Sequence, residues 1–148
     1  MRVAILGAGH GGQAMAADLT LAGHDVRLAA VPEHAGNIAI LKSIGGIYLE
    51  GATSTGAPPG FARIALMTDD VPKAVAGAEV IMLVLPAFAQ KPYMEILLRC
   101  AERGQIVVFN PGKFAALEFT RMLIEAGRYG EIQVGETDWP QWRGPRGD

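Results

Sequence analysis

Short apolar blocks alternate with longer amphipathic segments along most of the chain. Arg2–Leu6 is a nearly continuous apolar run, and Val80–Leu85 is the most hydrophobic block. Runs of this kind are typical of strands that are buried on both faces of a parallel sheet. Most of the segments that follow them have helical character and end at glycines. The alternation predicts an α/β fold with a doubly wound, mainly parallel sheet.

The boundaries of these elements follow from glycines, prolines and candidate N-cap residues. Strands are predicted at Arg2–Leu6, His24–Ala30, Ile47–Glu50, Phe61–Met67, Val80–Leu85, Gln105–Phe109 and Ile132–Val134. Helices are predicted at about His10–Ala22, Pro32–Lys42, Lys91–Glu102 and Phe114–Ala126, with a short one that starts after Thr68–Asp70 and ends near Gly77. The two strands that flank the Gly- and Pro-rich loop 51–60 predict a small hairpin inserted beside the sheet.

The turn after the first strand has the spacing Gly7-x-Gly9-x-x-Gly12, which is typical of a dinucleotide-binding turn in a Rossmann-like sheet. Gly7 permits a tight turn, Gly9 lets the backbone approach a pyrophosphate, and Gly12 lets the helix pack closely on the strand. The free N–H groups at the start of that helix would face the phosphates. A glycine-rich turn without a ligand is the alternative, and the flanking strand and helix favour binding.

A ligand of an open α/β sheet lies beyond the carboxyl ends of the strands. Besides the glycine turn, this edge holds the strand ends at Ala30, Leu85 and Asn110. The residues predicted to bind the cofactor are Gly7, Gly9, His10, Gly11, Gly12, Ala30, Leu85, Pro86, Ala87 and Asn110. A solvent-facing spacer stays the alternative for His10. An ordinary strand-ending proline stays the alternative for Pro86, and a generic turn stays the alternative for 110–112.

The choice between NAD and NADP stays open in the sequence. An NAD-preferring turn places an acidic residue about 20 positions after the glycines, where it binds the ribose 2′-hydroxyl. Here the second strand ends at Ala30, and no arginine follows to take a 2′-phosphate, since Arg27 lies within the strand. Glu33 could reach the ribose or could sit in the first turn of the next helix, where an acid suits the helix dipole. The predicted cofactor is therefore NAD or NADP.

Composition and charge restrict the partners. The chain has 148 residues, of which 50% are hydrophobic and 19% charged, and this fits one globular domain. The net charge of −2 and the lack of a Lys/Arg cluster argue against nucleic acid and anionic membranes as partners. No apolar run approaches the ~20 residues of a membrane span. The single cysteine, Cys100, predicts a buried structural thiol in a reducing compartment, so we expect a cytoplasmic protein.

Groups for acid–base or metal chemistry are scarce. His10, His24 and His34 do not share metal-ligand spacing, and Cys100 has no partner, so no metal site is predicted. No residue stands out as a general acid or base, although reduction of a carbonyl or an imine needs a proton donor. The sequence therefore predicts cofactor binding without catalytic residues.

Four stretches resemble the N-terminal domain of the opine dehydrogenases, the octopine/nopaline dehydrogenase family. They are Val3–Gly12 with Ala14–Leu19, Gly45–Gly51, Val80–Ala89, and Gln105–Phe119 with its N-P-G and A-L-E-F motifs. The last stretch discriminates best, because these motifs are not general features of dinucleotide-binding turns. The resemblance covers roughly residues 1–138.

The resemblance implies an NAD(P)-dependent dehydrogenase acting on CH–NH bonds. In that reaction a 2-oxo acid and the amine of an amino acid form an imine, which is reduced to a secondary amine. The resemblance also implies that the three turn glycines bind the pyrophosphate and that the nicotinamide half is lined by Pro86, Ala87 and Asn110. The family's catalytic histidine and its carboxylate partner lie in a C-terminal helical domain, so those roles pass to no residue here. We expect a cofactor-binding domain that is inactive alone.

Residues 1–138 are therefore predicted to form one dinucleotide-binding domain, and residues 139–148 an irregular tail. The run Asp138–Pro145 resembles the opening of quinoprotein-type β-propeller proteins and departs from the opine dehydrogenases. A truncated or joined open reading frame is one expectation. The alternative is a flexible tail in which Trp139 and Trp142 cover an apolar patch.

Two other functions stay open. One is the N-terminal domain of a glycerol-3-phosphate dehydrogenase or a ketopantoate-reductase-like enzyme, which share the fold and much of the glycine turn. The N-P-G and A-L-E-F motifs argue against it. The other is a non-catalytic nucleotide-binding module or a truncated fragment. The oligomeric state is open as well, with a homo-oligomer among the options.

Overall fold

The computed structural model of the protein describes residues 1–138. Within them the chain alternates strands and helices. The strands are β1 (Arg2–Leu6), β2 (Asp25–Ala29), β3 (Ile47–Leu49), β4 (Gly60–Ala62), β5 (Leu66–Thr68), β6 (Val80–Leu83), β7 (Ile106–Phe109) and β8 (Gln133–Glu136). The α-helices are α1 (His10–Leu21), α2 (Gly36–Ile44), α3 (Val71–Val75), α4 (Lys91–Cys100) and α5 (Ala115–Glu125). Short 3₁₀ turns lie at Pro32–His34 and Ala87–Ala89.

Six of the strands form one parallel sheet in the order β5-β2-β1-β6-β7-β8. The central strand β1 pairs with both neighbours, and Ile5 stands opposite Leu28 on one side and Met82 on the other. The strand order reverses between β1 and β6, which is where ligands bind in doubly wound sheets. The predicted Rossmann-like fold class is confirmed.

Both faces of the sheet are covered by helices. Ala4 and Leu6 pack in the core with α3, α4 and α5, whereas Val3 and Ile5 pack in the core with α1 and α2. Successive strand residues point to opposite faces, so each residue of this run reaches one core or the other. The double covering explains the continuous apolar pattern of β1, and it leaves the carboxyl edge of the sheet as the place for a site.

The predicted strand Phe61–Met67 is wrong as a single element. Its first part belongs to β4, which pairs with β3 in the antiparallel hairpin, with Tyr48 opposite Phe61. Its last part is β5, which joins the main sheet parallel to β2. Between them Ile64 is buried against α1 and α2, and Ala65 donates its N–H to Val26 O at 3.1 Å. The predicted hairpin insertion is confirmed, but it is shorter than expected.

The predicted helix Pro32–Lys42 is divided and shifted along the chain. A 3₁₀ turn occupies its first three positions, and α2 begins only at Gly36. The bonds from His34 N–H to Val31 O (2.9 Å) and from Ala35 N–H to Pro32 O (3.3 Å) close this tight turn. Glu33 therefore stands in the turn after β2 and not in the first turn of α2.

The remaining elements agree with the predictions to within a few residues. β6 ends at Leu83, two residues early, and β8 ends two residues late. The predicted N-cap of α3 is confirmed, because Asp70 Oδ1 accepts the Lys73 N–H at 3.1 Å. No helix in residues 1–138 has the length and apolar character needed to cross a membrane. The predicted tail lies outside the described residues.

Candidate functional site

Two glycines of the turn after β1 are required by the packing of the protein itself. Gly7 has a φ of 114°, and its N–H donates to Ala29 O at 2.8 Å. A Cβ at Gly7 would collide with Val84 O, and a Cβ at Gly12 would collide with the carbonyl of Gly7. A side chain at Gly7 would prevent the turn from passing between β2 and β6, and one at Gly12 would prevent α1 from packing against the turn.

Gly9 is different from its two neighbours in the motif. Its φ of −77° and ψ of −176° are accessible to any residue. A Cβ built there would meet no atom within 4 Å, and the residue is exposed. Nothing in the chain itself requires a glycine here, and the missing side chain leaves open space above the turn.

The amino end of α1 carries no side-chain cap. Its first intrahelical bond runs from Gln13 N–H to Gly9 O at 2.9 Å, so the N–H groups of the residues before Gln13 precede the helical ladder. No side chain caps Gly9, and the first turn holds no acidic residue. By contrast, α5 has the Glu136 carboxylate at its start, where Ala116 N–H donates to it at 2.9 Å. The start of α1 thus keeps its partial positive charge available to an anion.

Two amide side chains fix the orientation of the peptide between Ala8 and Gly9. Gln13 Nε2 and Asn37 Nδ2 both donate to Ala8 O at 2.8 Å. In a trans peptide the C=O and the following N–H point in opposite directions. The Gly9 N–H is therefore held facing away from both donors. Neither amide stands out in the sequence. Asn37, for example, donates to a carbonyl that lies 29 positions earlier.

A cleft of about 390 Å³ opens above the glycine turn at the point where the strand order reverses. Its lining is contributed by the turn itself, by the residues after β2 and by the residues after β6. It consists of Gly7, Ala8, Gly9, Ala30, His34, Gly36, Asn37, Leu85, Pro86, Phe88, Ala89 and Tyr93. Five of the ten predicted cofactor-binding residues therefore meet in one cleft. His34, which falls within the predicted helix Pro32–Lys42, lies there as well.

The other predicted residues lie around this cleft without lining it. Gly12 is buried beneath the turn, and His10, Gly11 and Ala87 are at least partly exposed. Asn110 is fully buried at the end of β7, and its N–H donates to Leu83 O at 2.8 Å. Neither polar atom of its side-chain amide has a hydrogen-bond partner. Buried amides are nearly always paired, so an orphaned one next to a ligand-binding edge calls for a partner.

Gln90 and Tyr93 hold the walls of the cleft together. Gln90 Nε2 donates to Leu85 O at 3.1 Å and to Pro111 O at 2.7 Å, which ties the turn after β6 to the turn after β7. The Tyr93 hydroxyl accepts the N–H of Val31 at 3.0 Å and so fixes the turn after β2 against α4. Both side chains are almost completely buried. Tyr93 falls within the predicted helix and Gln90 directly precedes it, but the partners of both side chains lie on other elements.

A second groove, of about 500 Å³, continues from the cleft between the Pro32–His34 turn and α4. We call it the α4 groove. It is lined by Val31, Pro32, Glu33, His34, Phe88, Ala89, Pro92, Tyr93, Glu95, Ile96 and Arg99. The two cavities share four lining residues, which are His34, Phe88, Ala89 and Tyr93. They therefore form one elongated depression that runs from the start of α1 past the end of β2.

The described residues offer little for catalysis at this depression. Burial raises the pKa of Tyr93 and the charge of Glu33 adds to the rise, while the hydrogen bond from Val31 opposes it, so the phenol stays neutral at ordinary pH. Burial likewise raises the pKa of the half-buried Cys100 thiol. Among residues 1–138, no three His, Cys, Asp or Glu side chains are grouped so that they could hold a metal ion.

Comparison with known proteins assigns the chain to a family. The family described as "NADP oxidoreductase coenzyme F420-dependent" matches residues 2–109, which include β1, the glycine turn and the strands up to β7. The chain belongs to this family. The match contains every residue that lines the cleft and the α4 groove. The site therefore lies within the part of the chain that the family defines.

The opine dehydrogenase of Arthrobacter sp. (strain 1C) is 37% identical to the chain over 138 residues. The aligned region covers 90% of this chain and 36% of that protein, so the chain spans about a third of the length of this curated relative. The identity confirms the resemblance to the N-terminal part of the opine dehydrogenases.

Solved structures share the fold. An octopine dehydrogenase structure with NADH and L-arginine has a TM-score of 0.75 at 18% identity and covers 89% of this chain and 33% of that chain. A PanE/ApbA-family ketopantoate reductase from Ralstonia eutropha JMP134 has a TM-score of 0.60 at 23% identity, covering 90% and 40%. The predicted oxidoreductase class and the predicted NAD(P) cofactor are confirmed at the level of the family, whose description names an NADP oxidoreductase.

Proposed function

We propose that residues 1–138 bind NAD(H) or NADP(H) along the depression formed by the cleft and the α4 groove. The pyrophosphate would lie at the start of α1, above Gly9, and the nicotinamide half would lie towards Leu85, Pro86 and Ala87. The adenosine half would then follow the end of β2 past Ala30. When bound, the cofactor supplies a hydride for reduction or accepts one for oxidation.

The observation that carries this proposal is the difference between the three glycines. Gly7 and Gly12 are locked by contacts within the protein, but Gly9 faces open space at an uncapped helix start. A ligand whose phosphates approach the backbone explains a glycine at this position, and the fold does not. The site also fits the group electrostatically, because backbone N–H groups at a helix start stabilise phosphate oxygens.

The orphaned amide of Asn110 is a second observation that agrees with a ligand at this edge. Its two polar atoms lie in the interior behind the turns after β6 and β7, and an unpaired buried amide costs about 1–3 kcal/mol. We propose that a small opening of these turns on cofactor binding gives the amide a partner. The bridging side chain of Gln90 sets how far the two turns can separate.

We further propose that the chain belongs to an oxidoreductase of the opine dehydrogenase kind, which condenses a 2-oxo acid with an amino acid and reduces the imine. The 37% identity to an opine dehydrogenase supports this choice. Octopine dehydrogenase has been solved with L-arginine, with agmatine and with pyruvate. His34, the histidine that lines the cleft, follows β2 on the side proposed for the adenosine half. The proposal therefore assigns the acid–base groups of the reaction to a part of the enzyme beyond residues 1–138.

A substitution at Gly9 tests cofactor binding without disturbing the fold. Alanine fits the backbone conformation of Gly9 and would touch no protein atom, but its methyl group would occupy the space above the turn. We expect Gly9→Ala to keep the melting temperature and to raise the Kd for NAD(H) or NADP(H), measured by calorimetry, by about tenfold or more, which corresponds to ~1.4 kcal/mol.

Gly60→Ala is the matched control, because a Cβ there also meets nothing within 4 Å and the residue lies in the hairpin. It is expected to bind the cofactor as the unaltered chain does. If the Gly9→Ala variant and the unaltered chain bind the cofactor with equal affinity, the glycine turn is not part of the cofactor site. No binding by the unaltered chain would contradict the proposed function itself.

A further inference from the structure

The α4 groove begins where the ribose of a dinucleotide is normally recognised. It opens between the turn after β2 and the outer face of α4, and it adjoins the cleft through His34 and Tyr93. In this fold the residues after the second strand of the sheet contact the adenosine ribose. The inference below rests on the proposed function, because it concerns the same cofactor at the same depression.

The walls of the α4 groove suit an adenosine. Val31 and Pro32 form one side, and Pro92 and Ile96 of α4 stand on the other. The volume of about 500 Å³ is within the range of small-molecule sites. Apolar walls of this kind accept the faces of a planar base, and the polar groups along the groove then decide which sugar substituents are tolerated.

The polar groups of the groove are mainly acidic. Glu33 and Glu95 line it directly. Asp69 and Asp70 line the cavity that continues it past Pro32. Arg99 stands between the two cavities on α4 and is the one Lys or Arg that lines either of them within the described part of the chain. A 2′-phosphate would bring an almost doubly negative group into this surrounding.

Glu33 is the first acid in the chain after the end of β2. It sits in the 3₁₀ turn that Tyr93 fixes through the N–H of Val31. Tyr93, whose pKa is raised by burial and further by the Glu33 charge, lines the same groove. Within residues 1–138, Glu33 makes no ion pair, so its acceptor oxygens are available.

We propose that Glu33 replaces the acid missing at Ala30 and makes the site selective for NAD(H) over NADP(H). A carboxylate accepts hydrogen bonds from ribose hydroxyls, and hydrogen bonds to charged groups are the stronger ones. The same carboxylate repels a 2′-phosphate, and Glu95 adds to that repulsion from α4. Selectivity then comes from an attractive contact and a repulsive one at the same residue.

The experiment is a titration of the full chain with NADH and with NADPH, followed by calorimetry or by nicotinamide fluorescence. The unaltered chain is expected to bind NADH at least about tenfold more tightly than NADPH, a difference of ~1.4 kcal/mol. Glu33→Gln removes the charge of an exposed side chain and is expected to weaken NADH binding and strengthen NADPH binding. The ratio of the Kd for NADPH to the Kd for NADH should therefore fall about fivefold or more. Lower salt should widen the ratio for the unaltered chain, since the repulsion is screened.

Three further variants separate a local contact from a general effect of charge. Glu95→Gln makes the same charge change in the same groove and is expected to strengthen NADPH binding without weakening NADH binding. Glu50→Gln removes an exposed acid next to the hairpin, and its ratio should equal that of the unaltered chain. Arg99→Gln should leave the preference for NADH in place.

The outcomes distinguish the inference from the proposed function. Equal or tighter binding of NADPH, or a Glu33→Gln variant with an unchanged ratio, overturns the inference and leaves dinucleotide binding intact. A selective loss of NADPH binding in Arg99→Gln, together with NADPH preference, would show that Arg99 takes a 2′-phosphate instead. Failure of both nucleotides to bind would overturn the inference together with the proposed function.

Discussion

Individual residues in this site are held by contacts from several elements of the fold. Gly7 and Gly12 are fixed by backbone atoms, Gly9 is free, and the peptide before Gly9 is held by two amides from α1 and α2. The fully buried Asn110 is the exception, because its side chain has no partner. Pre-arranged backbone donors and one unpaired buried amide both fit a ligand at this edge of the sheet.

Asn110→Leu tests whether that amide is kept for binding. Leucine has a similar size and removes an unsatisfied polar group from the interior, so we expect the free energy of unfolding to rise by about 1 kcal/mol. We also expect the Kd for the dinucleotide to rise by about fivefold, because the amide has lost its role. Urea unfolding and calorimetry on the same sample measure both effects.

Gln105→Leu is the control for that variant. Gln105 is equally enclosed, but its Nε2 donates to Val75 O and Ala78 O at 2.9 Å each, and its Oε1 accepts the N–H of Glu102 at 2.7 Å. Its replacement should destabilise the protein by about 2 kcal/mol or more. A destabilised Asn110→Leu protein with unchanged dinucleotide affinity would show that the amide has a structural role only.

At the scale of elements, the sequence predicted what depends on neighbours in the chain. β1, the glycine turn and α1 follow from local pattern and spacing, and the structure has them within one residue. The prediction of a single strand at Phe61–Met67 was wrong, because the segment pairs with two different partners. Its first part pairs with β3 and its last part pairs with β2. Local propensity cannot distinguish one strand from two when the pairing partners lie elsewhere in the chain.

The candidate site shows the same limit. The carboxyl-edge rule brought five of the ten predicted residues into one cleft, because that rule depends on topology. It could not find Gln90 or Tyr93, whose roles come from bonds to the turns after β7 and β2. The element boundaries favoured a position for Glu33 in the first turn of a helix, with contact to the ribose as the alternative. A 3₁₀ turn instead leaves this residue beside the α4 groove.

At the scale of the whole described molecule, residues 1–138, the two edges of the sheet differ in character. The amino edge is closed by polar contacts such as Arg2 Nε to Asp25 Oδ2 at 2.8 Å, and the Arg2 guanidinium lowers the pKa of that carboxyl. The carboxyl edge is open and carries the cleft, the α4 groove and exposed apolar side chains such as Phe88. A cofactor domain needs an edge of this kind, since the reacting end of a bound nicotinamide must meet a second reactant.

The apolar residues proposed for the nicotinamide half, Leu85, Pro86 and Ala87, offer no proton donor, and this leads to a prediction about turnover. The isolated chain, given NADH with pyruvate and L-arginine, should oxidise no more NADH than a sample without protein, although it binds the nucleotide. Absorbance at the NADH band measures this directly. Steady oxidation that depends on both the 2-oxo acid and the amino acid would place acid–base groups within this chain and contradict the proposed division of roles.

The central claim is that the uncapped start of α1 receives the phosphates of a nicotinamide dinucleotide. The most direct measurement is the ¹H–¹⁵N spectrum of the labelled chain during titration with NADH. The account predicts that the amides of Gly9, His10, Gly11 and Gly12 shift most, that those of Ala30 and His34 shift with them, and that hairpin amides such as Tyr48 stay in place. Saturable shifts confined to the hairpin, or no shifts at the glycine turn, would contradict the account.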